Sequence, residues 1–350
     1  MATLINATVA QYFLVVSLST IFFLAIIGGF ILIGLSFFKP WTKRKKTSFF
    51  APRFHFHPNG NSKTRFPCVL THETTSWKGP QHSKPELYLS VIVPAMNEEK
   101  RLPQMLDEFV NVIMHYYLAK MFVSVIVVDD GSTDGTAVAA FAYASSYPLH
   151  ILRLPKNTGK GGAVREGVLC ARGQFILFAD ADGATRFADL DKLEKRMNLL
   201  CNGESAPSSE PSDWTHPAMV VGSRAHLEQD SISQRSFLRT VLMVGFHALV
   251  WIFTVRTVRD TQCGFKLLSR AAAAKLFPQL HIEKWAFDVE LIYLAEQLKY
   301  SVAEVAVEWT EIDGSKVTPF FSWIQMGRDI LIIWFLYTFH IWEINQIDQD

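Results

Sequence analysis

The longest uninterrupted apolar stretch lies near the start of the chain. Tyr12 to Phe38 (YFLVVSLSTIFFLAIIGGFILIGLSFF) carries no charged residue, and about 20 apolar residues suffice to cross the hydrocarbon layer as a helix. No positive charge precedes the run and bulky Phe37 and Phe38 close it, unlike a cleaved signal peptide. The pattern predicts an uncleaved transmembrane anchor over 12–38. Lys39, Lys43, Arg44, Lys45 and Lys46 follow at once, and basic flanks stay cytosolic. That orientation makes 1–11 a short lumenal tail and puts the bulk of the chain in the cytosol. The stretch 39–86 combines this basic flank with a segment rich in His, Pro, Ser, Thr and Lys that shows no sustained period. It reads as a tether.

Beyond it the pattern changes to short β-rich runs separated by helical ones. Leu87 to Pro94 is a strand candidate, with a helix starting near Leu102. Met121 to Val128 (MFVSVIVV) is a continuous apolar run, as in a strand covered on both faces. Ile151 to Leu154 is a third strand, Gly162 to Ala171 a helix, and Gln174 to Ala179 a fourth strand. This alternation predicts a doubly wound α/β sheet, whose ligands bind beyond the carboxyl ends of the strands. Two later apolar segments, 237–258 and 320–342, are long enough to span. They contain Arg239, His247 and Arg256, and Arg328 and Asp329. Internal charges make spanning costly, so both are expected to lie in the membrane interface. The polar, Pro- and Ser-rich stretch 202–217 reads as a surface loop.

Composition narrows the function classes. The formal net charge is +1, which gives no basic footprint for nucleic acid. The four cysteines, Cys68, Cys170, Cys201 and Cys263, form no CxxC pair, so a structural zinc site is not expected and free thiols are.

Polar residues cluster where strands end. Asp129-Asp130-Gly131-Ser132 follows the second strand, and carboxylates there can accept from a base N–H or a ribose hydroxyl; helix capping by Ser132 or Asp134 is the plain alternative. Asp180-Ala181-Asp182 follows the fourth. Aspartates at i and i+2 on an extended segment point to one side, and their repulsion is relieved by a divalent cation such as Mg²⁺ or Mn²⁺. Between them, Asn157-Thr158-Gly159-Lys160-Gly161-Gly162 matches neither a P-loop nor a Rossmann fingerprint. It is either a tight strand-to-helix turn or a place where backbone amides and Lys160 meet phosphate.

In this order, PAMNEE, VVDDGSTDGT, NTGKGGAVREG and FADADG resemble the inverting family 2 glycosyltransferases of the GT-A fold. VVGSRAHL, RTVLMVGFHALV, RDTQCGFKLLSRAAA and EKWAFDVELIYLA are similar to the members that glucosylate dolichyl phosphate. The resemblance runs from the anchor to about Trp309. It implies a GT-A, Rossmann-like, mostly parallel sheet over 87–318, including the interfacial helix 237–258, followed by a C-terminal interface helix and tail over 319–350. It implies UDP-glucose as donor, dolichyl phosphate as acceptor, inversion, and a place on the endoplasmic reticulum membrane among its lipids, with the catalytic domain facing the cytosol. Self-association into a homo-oligomer is left open. Pro94, Asn97, Glu98, Asp129 and Asp130 would form the nucleoside pocket. Asp180 and Asp182 would hold the metal and diphosphate. Arg224 and the segment Asp260 to Lys266, which includes Gln262 and Lys266, would flank the reacting phosphates, with Lys160 from the glycine-rich turn and Arg235 as further candidate cations. Asp288 would serve the acceptor site or orient it, the plain alternative being helix capping. Related mannose synthases often have Gln two residues after the second aspartate, where this chain has Ala184, which leaves the third metal ligand open. The competing readings are a mannose synthase using GDP-mannose and a non-catalytic membrane scaffold.

Overall fold

The computed structural model describes residues 53, 55–58, 85, 87–113, 122–203, 211–226, 237–312 and 319–344. The expected anchor and Arg235 lie outside them. Among the described residues the sheet has seven strands: β1 (Leu87–Ala95), β2 (Val123–Asp129), β3 (Leu149–Arg153), β4 (Gly173–Ala179), β5 (Ala218–Ser223), β6 (Phe265–Ser269) and β7 (Ser301–Ala306). Their order is β3-β2-β1-β4-β6-β5-β7. β6 runs antiparallel to both neighbours and every other pairing is parallel, so the sheet is mixed and mostly parallel, as expected.

Helices cover both faces: α1 (Leu102–Val112), α2 (Thr136–Ala144), α3 (Lys160–Leu169), α4 (Leu190–Asn202), α5 (Phe237–Phe253), α6 (Arg270–Leu276), α7 (Phe287–Gln297) and α8 (Pro319–Thr338). Burial on both sides explains why β2 is apolar without alternation: all seven of its residues are buried. Val91, Val93, Val125 and Val127 face Leu102, Leu106 and Phe109 of α1 in one core. On the opposite face α3 packs directly on β1 and β2. Gly167 permits this, since a Cβ there would lie 2.5 Å from Ile92 Cγ2. Truncating such a core side chain to Ala costs about 2–5 kcal/mol.

The tether differs from expectation in one place. Residues 55–56 pair with the outer edge of β3: His55 bridges Leu152 and Phe56 N–H donates to Ile151 O at 2.8 Å. Arg53 is held by Glu166 of α3 at 2.7 Å. A short strap so covers an edge that would otherwise present unpaired backbone.

α5 and α8 pack against each other. Trp251, Ile252, Ile324, Leu331, Phe339 and Ile341, in or just beyond these helices, are exposed, and Arg256 lies over the Trp251 ring at 5.6 Å. No helix among the described residues is long and apolar enough to cross a membrane.

Candidate active site

The carboxyl ends of β1 and β2 are stitched together by side chains. Asn97 adopts φ 52°; its N–H donates to Ser132 Oγ at 2.9 Å and its Oδ1 accepts from Thr133 N at 2.9 Å. Glu98 donates its amide to Thr136 Oγ1 at 2.8 Å, and its buried carboxylate takes two bonds of 2.7 Å from Arg101. Pro94 is half-buried, level with Val128. Asp129 is fully buried; it accepts from Ser132 N at 2.8 Å and faces Arg153 Nε at 3.1 Å. Asp130 accepts from Thr158 N (2.7 Å), Thr158 Oγ1 (2.8 Å) and Gly159 N (2.9 Å). Burial pushes the Asp130 carboxyl up in pKa, and those three donors pull against it. Gly162 N–H donates to Glu283 O at 2.9 Å. The amides of Thr158, Gly159 and Gly162 are therefore occupied by protein, which favours the strand-to-helix turn over a phosphate cradle at those three positions.

β4 ends one strand away. Lys160 Nζ, from the first residue of α3, lies 2.7 Å from Asp180 Oδ1. Burial opposes the charge on Lys160, but Asp180, Asp288 and Asp182 outweigh it and raise its pKa. Asp182 accepts from Ala184 N at 3.0 Å. Its pKa is pushed up by burial and then by the like charge of Asp180.

β6 brings a lysine into the middle of the sheet. Lys266 is wholly buried; Nζ donates to Cys263 O at 2.6 Å and Asp288 Oδ1 at 2.5 Å, and lies 5.1 Å from the Phe178 ring centre. A buried ammonium needs such partners, because leaving it unpaired is strongly destabilising. Asp288, the second residue of α7, is itself buried, and burial raises its pKa against the pull of Lys266 and Lys160. Just past β5, Arg224 forks onto Asp260 with bonds of 2.7 and 2.9 Å, donates its backbone N–H to the same carboxylate at 2.9 Å, and lies 5.4 Å over Trp309. Burial disfavours the Asp260 carboxylate, yet Arg224 holds its pKa below the usual range.

The structure thus brings Lys160, Asp180, Asp182, Lys266 and Asp288 into one electrostatic cluster. The loop between Asp260 and Phe265, carrying Gln262, joins it to Arg224: Asp180 N–H donates to Gly264 O at 3.1 Å. Pro94, Asn97, Glu98, Asp129 and Asp130 form the neighbouring rim.

Among the described residues no group of three or more His, Cys, Asp or Glu could hold a metal. The Asp180–Asp182 pair does suit Mg²⁺ or Mn²⁺, since Mg²⁺ is commonly bound through one or two carboxylates plus substrate phosphates. The repulsion that lifts Asp182 is what a divalent cation would relieve.

Residues 90–206 match the family model for glycosyl transferase family 2, which spans β1 to the end of α4. The chain is 54% identical over 270 residues to the dolichyl-phosphate beta-glucosyltransferase of Drosophila melanogaster, covering 76% of this chain and 80% of that one. It is 47% identical over 304 residues to the human protein of the same name, covering 81% and 89%. The chain belongs to the dolichyl-phosphate β-glucosyltransferase family. A solved glucosyl-3-phosphoglycerate synthase of Mycobacterium tuberculosis, in complex with Mn²⁺, UDP and phosphoglyceric acid, is similar at TM-score 0.45 and 17% identity over 72% of this chain and 78% of that one; that likeness is too distant to bear on what this chain binds.

One residue of this family member's site escaped the sequence reading. Arg101 links the rim to the carboxylate pair: it is bonded to Glu98, and Asp182 and Asp180 add to the charge that holds it protonated. Its only sequence signal is its place just before α1. Asp260, the first residue of the segment expected at the phosphates, holds Arg224 instead.

Proposed function

We propose that this member of the dolichyl-phosphate β-glucosyltransferase family transfers glucose from UDP-glucose to dolichyl phosphate with inversion of configuration. One observation carries the reading: a carboxylate pair at the end of β4 stands among cations that each have their own carboxylate partner, Lys160 with Asp180, Arg224 with Asp260 and Lys266 with Asp288. A transfer between two phosphate-bearing substrates calls for this, because positive charge must be held in place before two anions meet. Preorganised charge of that kind is commonly the largest contribution to catalysis.

The nucleoside is assigned to the rim where the β1 and β2 loops meet, at Pro94, Asn97 and Glu98, with Asp129 and Asp130 fixing those loops around it. Asp180 and Asp182 would hold Mg²⁺ or Mn²⁺, which when bound supplies charge against the leaving diphosphate. Asp260 occupies Nε and Nη2 of Arg224, and the guanidinium N–H groups that remain address phosphate oxygens. The acceptor is a phosphate monoester, whose second pKa is about 6, so it is already largely anionic and needs no strong general base. Asp288 accordingly acts by orienting Lys266, since both side chains are buried against one another. Attack on the anomeric carbon from the face opposite UDP converts the α-linked donor into a β-linked product.

The exposed apolar side chains of α5 and α8 support these helices lying in the membrane interface, where an isoprenoid tail can reach the site. The uncharged apolar run 12–38 and the basic residues after it support a location on the cytosolic face of the endoplasmic reticulum. The test of the proposal is the anomeric configuration of the purified glucolipid by proton NMR. A β linkage is expected; an α linkage would require a different displacement and overturn the proposed mechanism.

A further inference from the structure

The loop between Asp260 and Phe265 is clamped on both sides of Gln262. Upstream, Asp260 is gripped by Arg224, and Gln262 N–H donates to Asp260 Oδ1 at 3.3 Å. Downstream, Cys263 O accepts from Lys266 Nζ, and Gly264 lies against Asp180. The amide of Gln262 is the exception. Its Nε2 is enclosed by protein and has no hydrogen-bond partner. Enclosed donors without acceptors are rare in folded proteins and costly to keep.

The site's cations Lys160, Arg224 and Lys266 each have a carboxylate partner, so no ionic role is left open for this neutral side chain. Phosphate oxygens are best met by cations, which the site already has. A carboxamide sets a donor NH₂ and an acceptor C=O on one rigid plane, a pairing suited to a hydroxyl group, which also donates and accepts. We infer that Gln262 reads a hydroxyl of the hexose being transferred and thereby sets the preference for the donor sugar. This rests on the reading of the site as a UDP-glucose-dependent transferase, and it assigns a sugar-recognising role within it. An enclosed donor that only the correct sugar satisfies discriminates strongly, because the wrong epimer leaves it unpaired.

The test uses the full chain in detergent with Mg²⁺, comparing wild type with Gln262→Ala and Gln262→Glu. Binding of UDP, UDP-glucose and UDP-galactose is measured by calorimetry, transfer is followed with both sugars, and thermal unfolding is recorded without ligand. The expected result is that Gln262→Ala loses roughly tenfold or more of the preference for UDP-glucose over UDP-galactose. UDP affinity should hold within about twofold, and the unfolding midpoint should not fall, because the variant removes an unpartnered group. An unchanged sugar preference overturns the inference, as does an equal loss for UDP and UDP-glucose, which would put the amide on the nucleotide. A lowered midpoint with unchanged preference makes Gln262 a packing residue and also overturns it. Failure of the wild type to bind or use UDP-glucose would overturn the functional reading itself, and this inference with it.

Discussion

Gly264 lies directly beneath the Asp180 carboxylate: a Cβ on residue 264 would fall 1.9 Å from Oδ2 and 2.3 Å from Cγ. No side chain fits there unless Asp180 moves, and Asp180 is also the partner of Lys160. The glycine in TQCGFK therefore fixes a carboxylate some eighty positions earlier in the chain.

Gly264→Ala should accordingly lower transfer about 100-fold or more, the scale expected when a reacting group is displaced by about 1 Å. The fold should survive, because the alanine meets a partly exposed carboxylate that can swing aside. Steady-state kinetics together with circular dichroism check this; full activity in the alanine variant would contradict the close approach.

Glu290 carries a second relationship, on the side of α7 turned toward α8. This buried carboxylate accepts from His281 N, Ile282 N, His281 Nδ1 and Tyr337 Oη at 2.7–3.0 Å, and His281 stacks on Trp342 at 4.0 Å. Glu290→Ala strands several buried donors and should destabilise by about 3 kcal/mol or more, whereas Tyr337→Phe removes one and should cost about 1 kcal/mol. Denaturant unfolding of the full chain measures both, and equal effects would argue against Glu290 as the hub.

The strap on β3 should be acid-sensitive. His150 and His55 lie edge to face with centroids 5.0 Å apart. Burial, then His55, then Arg172 push the His150 pKa down to about 4 from 6.5. The folded state therefore resists a proton that the unfolded chain accepts. The His150 contribution to stability is complete above pH 6.5, falls as the pH drops below it, and levels off near pH 4. His150→Gln should flatten that decline in the unfolding midpoint between pH 7 and 5. Parallel curves for variant and wild type would contradict the shift.

How much of this the residues disclosed depends on periodicity. The four strands β1 to β4 are continuous apolar or β-rich runs, and each ends within about two residues of its expected position, as does the start of α1. The polar residues beyond them announced the site. β6 and β7 carry no such pattern: FKLLS contains a lysine and SVAEVA a glutamate, and neither has a clean alternation. That Lys266 is buried follows only from its pairing with Asp288, a tertiary contact with no local signal. The same holds for Asp130, whose carboxylate is turned onto the Thr158 loop, and for the strap, where residues 53 and 55–58 are too few to show a period.

The most direct test is sugar transfer by purified full-length protein in detergent, with Mg²⁺ and dolichyl phosphate, comparing UDP-glucose with GDP-mannose and using Asp182→Ala as control. Glucolipid formed from UDP-glucose alone, and lost in the variant, is the predicted result. Mannolipid from GDP-mannose, or undiminished transfer by Asp182→Ala, would contradict it.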